Sequence, residues 1–97
     1  MHSGANNTEG SDNSFFGSFA GELNTIAVKN SFFGYYSGRN NTTGSNNSFF
    51  GTQAGLDNTT GAFNAFYGAS AGTNNTTAQS NAFFGYCLLY TSDAADE

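Results

Sequence analysis

Apolar and polar positions along the chain recur with a fixed period of 17 residues. Asn13, Asn30, Asn47, Asn64 and Asn81 each open the same word: Asn, Ser or Ala, Phe, Phe or Tyr, Gly. Positions are numbered 1 to 17 from these asparagines. Position 3 is Phe15, Phe32, Phe49, Phe66 and Phe83; position 4 is Phe16, Phe33, Phe50, Tyr67 and Phe84; position 5 is Gly17, Gly34, Gly51, Gly68 and Gly85. Adjacent aromatics bounded by Asn and Gly predict a short extended segment whose successive side chains point to opposite faces. One ring of each pair then enters the interior, and the other lies outside or against a partner.

The remainder of the period is equally regular. Position 9 is Gly21, Gly38, Gly55 and Gly72, and the position before it is always small: Ala20, Ser37, Ala54, Ala71. Glycine at fixed offsets predicts a corner that needs positive φ or close approach of backbones. Position 12 is Asn7, Asn24, Asn41, Asn58 and Asn75, each followed by Thr. Positions 12 to 15 read Asn-Thr-Thr-Gly at 41–44 and 58–61, which predicts a second short strand and its turn. A helix is excluded, because glycine interrupts every period, β-branched Thr is abundant, and no 3.6-residue apolar stripe survives. A fixed short period with turn residues at constant offsets is the mark of a stacked solenoid. The expected fold is therefore all-β: a parallel β-solenoid, or β-roll, of about five 17-residue coils. Such stacking sets identical side chains about 4.8 Å apart, close enough for stacked asparagines to form amide ladders.

Composition changes this picture in one place, the end of the chain. Residues 87–97, CLLYTSDAADE, abandon the period and resemble the translation of a transposase-type sequencing adapter. They are read as a non-native read-through tail and excluded from fold reasoning. The expected organisation is an irregular lead-in over 1–5, one repeat array over 6–86, and this tail. Met1 is compatible with an internal methionine, because the repeat is already running at Asn7. The chain's formal charge is −5. Within the array it reduces to Glu9, Asp12, Glu22 and Asp57 against Lys29 and Arg39. Scarce charge without a basic cluster argues against a nucleic-acid partner, and no apolar run is long enough to insert this segment into a membrane.

The words NSFFGxxAG and NTTGxxN, over residues 6 to 86, resemble the Asn-Thr-Gly repeats of bacterial and phage surface fibres. In those proteins such arrays often precede an intramolecular chaperone domain of the endosialidase type. They are also similar to a longer form of the NSxAxG repeats in YadA-like trimeric adhesin heads, whose repeat is shorter and prefers aliphatic residues where this chain has Phe-Phe. The resemblance implies a left-handed roll, three chains per fibre, an extracellular setting on a bacterial surface or a phage virion, and a role in attachment to a host-surface or glycan receptor.

Catalysis finds no support in the residues. His2 is the only histidine, no nucleophile–base pair can be assembled, and the four carboxylates of the array occupy different repeat positions. Calcium-binding rolls need a recurring Gly-rich Asp motif, and a phosphate loop needs a lysine in a strand–loop–helix context; neither is present, so no cofactor or metal is expected. The expected function is a structural and adhesive segment of a trimeric surface or tail fibre. Two other readings compete. Thr42, Thr43, Thr59, Thr60, Thr76 and Thr77 could build the flat threonine array of a monomeric ice-binding solenoid, and the Phe-Gly dipeptides suit a disordered nucleoporin-like chain. Asn-x-Thr/Ser triplets at Asn6, Asn40, Asn41, Asn46, Asn58, Asn74 and Asn75 follow from the repeat itself. Asparagines at positions 1 and 12 are better read as ladder and turn chemistry.

Overall fold

The computed structural model describes residues 2–86; the tail expected over 87–97 lies outside the described residues. Each aromatic word forms one three-residue strand: β1 (Ser14–Phe16), β2 (Ser31–Phe33), β3 (Ser48–Phe50), β4 (Ala65–Tyr67) and β5 (Ala82–Phe84). They make a single parallel sheet in the order β1-β2-β3-β4-β5. The register never slips: Phe15 faces Phe32, then Phe49, Phe66 and Phe83 in turn. The chain thus closes one turn every 17 residues, and the molecule is a parallel β-solenoid with one strand per turn. Coils 1 to 5 are named here by the strand that opens them.

The strand's alternation decides which ring goes in. Phe32, Phe49 and Phe66 are fully buried, and Phe15 and Phe83 close the two ends of the same column. Neighbouring rings in this column lie 4.7–5.1 Å apart. Ala20, Ser37, Ala54 and Ala71 pack beside them, and the glycine at position 9 lets each ring lie flat on the backbone. A Cβ at Gly21 would stand 2.8 Å from the Phe15 ring.

The corner after each strand requires the glycine at position 5. Gly17, Gly34, Gly51 and Gly68 have φ between 124° and 136°. A Cβ on any of them would come within 2.5–2.8 Å of backbone atoms of the next coil's glycine. Beyond this corner, N–H groups alternate between two uses. Ala20, Glu22 and Asn24 close tight turns on Gly17, Phe19 and Gly21, while Gly21 and Leu23 reach Ser37 and Arg39 of the next coil. The turns closed by Ala20 and Glu22 have positive φ at their third residue, Phe19 and Gly21, as in type II turns, whereas the turn closed by Asn24 does not. Gly21 supplies it at position 9, but position 7 adopts φ of 60–65° with His2, Phe19, Tyr36, Gln53 and Ser70.

Two expectations are corrected here. The second short strand expected over positions 12 to 15 is a bend. The N–H groups of Thr42, Thr43 and Gly44 all converge on the Thr59 carbonyl of the next coil at 3.0–3.2 Å. Three successive donors can share one acceptor only if the backbone curls around it, which extended geometry forbids. The same triple contact recurs from Thr8, Glu9 and Gly10 to Thr25, and from Thr59, Thr60 and Gly61 to Thr76. The lead-in expected to be irregular also follows the coil: His2 and Gly4 have the φ values of Phe19 and Gly21, and Gly4 bonds to Ala20 as Gly21 does to Ser37.

Candidate functional site

Beside the phenylalanines and small residues of the apolar core, the interior is lined by asparagine. Asn24, Asn30, Asn41, Asn47, Asn58, Asn64 and Asn75 are all buried, which is stable only if every amide group finds a partner. At position 12 the asparagines form a true amide ladder. Asn24, Asn41, Asn58 and Asn75 each donate from Nδ2 to the Oδ1 of the asparagine one coil earlier at 2.8–2.9 Å. The second Nδ2 proton goes to the carbonyl three residues on, as from Asn41 to Gly44 at 2.9 Å.

The asparagines at position 1 work differently from the expected ladder. Asn13, Asn30, Asn47 and Asn64 accept on Oδ1 from the backbone N–H of the next asparagine, each at 2.9 Å. They donate from Nδ2 to the position 15 carbonyl of their own coil at 2.8–2.9 Å. Each is a side-chain-to-backbone clip between coils, and Asn81 is the last to be clipped. Among the described residues no buried side-chain nitrogen or oxygen lacks a partner.

The outer surface carries a second aromatic column from position 4. Phe33, Phe50, Tyr67 and Phe84 stack with centroids 4.8–5.1 Å apart and planes within 4°; Phe16 meets Phe33 edge-on. Phe16 and Phe84 are 69% and 61% exposed. Because the rings face one another along the solenoid axis, solvent meets their edges. Such a row offers an apolar rib to a neighbouring surface and keeps its ring faces for itself.

The threonines are divided between two roles. Thr8, Thr25, Thr42 and Thr59 turn their hydroxyls onto the carbonyl of the next threonine in the column at 3.3 Å. Only Thr43, Thr60 and Thr77 stay fully exposed at position 14, and Ile26 and Glu9 interrupt that column. The position 13 hydroxyls are thus tied to backbone, and paired threonines run over three successive coils, 42–43, 59–60 and 76–77. Of the glycosylation-type triplets, those at Asn41, Asn58 and Asn75 are locked in the buried ladder.

A third surface feature departs from the repeat and was missed in the sequence. At positions 6, 7 and 10 the first two coils carry Phe19, Tyr35, Tyr36, Glu22 and Arg39, where coils 3 and 4 carry Thr52, Ala69, Gln53, Ser70, Leu56 and Thr73. Arg39 Nε donates to Glu22 Oε1 at 2.6 Å, and its guanidinium lies 5.4 Å from the Tyr36 ring centroid and 6.0 Å from that of Phe19. Tyr35 leans on Tyr36 at 4.2 Å and is 46% exposed. Hydrogen bonding with the Tyr36 side chain, then slight desolvation and the Tyr36 charge, raise the Tyr35 phenol above its ordinary pKa. The signal available in the sequence was the departure itself: large and charged residues at positions that are small or neutral elsewhere.

Comparisons of the chain with protein-family models, with curated proteins and with solved structures each find no match.

Proposed function

We propose that this chain is a structural and adhesive repeat segment of a multi-chain fibre, without catalysis, displayed outside the cell on a bacterial surface or a phage virion. The outward aromatic row carries this reading. A β-solenoid with one phenylalanine and one small residue per coil in its apolar core has little burial of its own. It nevertheless sets a second, in-register column of five aromatics on its outer face. Burying an aromatic side chain is worth about 1.5–3 kcal/mol, and rings that offer only edges are suited to lateral packing. The coil repeats without insertion, so the rib is straight and can pack along its whole length on copies of itself. The resemblance to Asn-Thr-Gly surface fibres implies three chains.

The disordered Phe-Gly alternative leaves the fixed period unexplained, whereas a coil that closes every 17 residues requires it. Sedimentation equilibrium of the chain tests the proposal. We expect three times the chain mass for the native sequence, and a shift towards the monomer for Phe50→Ser with Tyr67→Ser. A compact native monomer at all concentrations would contradict it.

A further inference from the structure

We propose that the turn face of coils 1 and 2, built from Tyr35, Tyr36, Arg39 and Glu22, is a binding site for a neutral pyranose sugar. The proposal supplies the gripping element of the attachment role above and rests on that role only for its biological setting.

Tyr35 differs from every ring of the two stacked columns. Its neighbours above and below in the position 6 column are Ser18 and Thr52, so no ring caps it along the axis. Its ring contacts are both to the position 7 column: Tyr36, tilted by 41°, and Phe19, edge-on at 6.4 Å. A planar ring left uncapped beside fixed polar groups is the surface on which the C–H face of a pyranose stacks.

The polar groups are fixed. The Glu22–Arg39 pair is tied through Nε and Oε1, which leaves the terminal guanidinium nitrogens and Oε2 with capacity for further bonds. Cation–π contact with Tyr36 and Phe19 holds the guanidinium plane in place. Adjacent donors and acceptors on one rigid pair match the vicinal hydroxyls of a sugar, which both donate and accept.

The same charges select against other ligands. Arg39 is neutralised by Glu22 at contact distance and the chain is acidic, so an anion gains nothing here. A purely apolar partner would strand the ion pair's unused donors and acceptors without water or any other partner. A neutral sugar satisfies both halves of the surface.

The repeat supplies the variants, because other coils already hold the replacements in the same positions: Tyr35→Ser copies Ser18, Arg39→Leu copies Leu56, and Tyr36→Gln copies Gln53. A thermal melt of each variant, Arg39→Leu above all because it unpairs Glu22, checks that the fold is kept. The test is saturation-transfer NMR on the full chain, irradiating aromatic protons, with cellotriose, mannotriose, chitotriose and sialyllactose as probes. We expect transfer to ring C–H protons of at least one of the three neutral sugars. Tyr35→Ser and Arg39→Leu should each weaken that binding by about tenfold or more, equivalent to about 1.4 kcal/mol. Thr60→Ala, on the threonine column, should leave it unchanged. The proposal is overturned if no neutral sugar shows transfer, if binding survives both variants, or if only sialyllactose binds. The chain's sedimentation mass is independent of all these outcomes, so failure here and failure of the fibre reading are told apart.

Discussion

Asn41 and Asn74 are one residue type in neighbouring columns of the repeat, yet they face opposite physical demands. Asn41 is buried, donates to Asn24 and Gly44, and accepts from Asn58. Asn74 is exposed. Replacing Asn41 by alanine leaves the Asn24 oxygen and one Asn58 proton without partners, while the Gly44 carbonyl keeps its bond from Asn30, and such losses cost about 1–3 kcal/mol each. We expect Asn41→Ala to destabilise the chain by about 3 kcal/mol in urea unfolding, and Asn74→Ala to change it by no more than about 0.5 kcal/mol. Equal effects would remove the ladder from the explanation. Residue-scale strain runs the other way at Phe63, which holds φ of 59° while 61% exposed. A left-handed conformation costs an ordinary residue about 1–2 kcal/mol, and asparagine tolerates it better. Asn46 already occupies this position one coil earlier with φ of 62°. Phe63→Asn should therefore stabilise the monomer fold by about 1 kcal/mol, read as a raised urea midpoint.

At the scale of the strand, two adjacent rings have unequal work. Phe49 is enclosed between Phe32 and Phe66 at 4.7 and 4.8 Å, and its removal opens a cavity that no neighbouring coil can fill. Phe50 is stacked but open to solvent on its edge. We expect Phe49→Ala to cost about 4 kcal/mol and Phe50→Ala about 1 kcal/mol in the chain's own stability. The corner is less forgiving still. Gly51→Ala would place a Cβ 2.5 Å from the Gly68 carbonyl at φ of 135°, so β3 and β4 must separate. Loss of about 3 kcal/mol or more is expected on thermal melting, and a tolerated alanine would contradict the corner described here.

For the whole molecule, the period made the coil legible. Strict spacing of Phe15, Phe32, Phe49, Phe66 and Phe83 predicts an in-register parallel stack, and Asn-Phe-Phe-Gly predicts strand, alternation and corner. Three features were hidden for physical reasons. Thr42-Thr43 carries the propensity of a strand, but the Thr59 carbonyl gathers three donors and bends it. The left-handed positions 7 and 17 hold Phe19, Tyr36, Gln53, Ser70, Lys29, Phe63 and Ser80 beside His2, Asp12 and Asn46; only the last three favour positive φ, and elsewhere packing between coils imposes it. The two asparagine columns look alike in sequence, and only the direction of their amides separates a ladder from a clip. The Tyr35–Arg39 cluster is hidden because it occurs only in the first two coils, at positions that are small or neutral in the others, and it forms only when the coils stack.

The central claim is that a continuous buried asparagine spine, one amide per coil, locks the 17-residue turns in register. Hydrogen exchange of side-chain amides by NMR reads it directly, since Nδ2 protons are resolved from the backbone. The Nδ2 protons of Asn41 and Asn58 should exchange only on global unfolding, and those of Asn6, Asn46 and Asn74 at the rate of free asparagine. Fast exchange at Asn41 and Asn58 in the folded chain would contradict the spine and the register it sets.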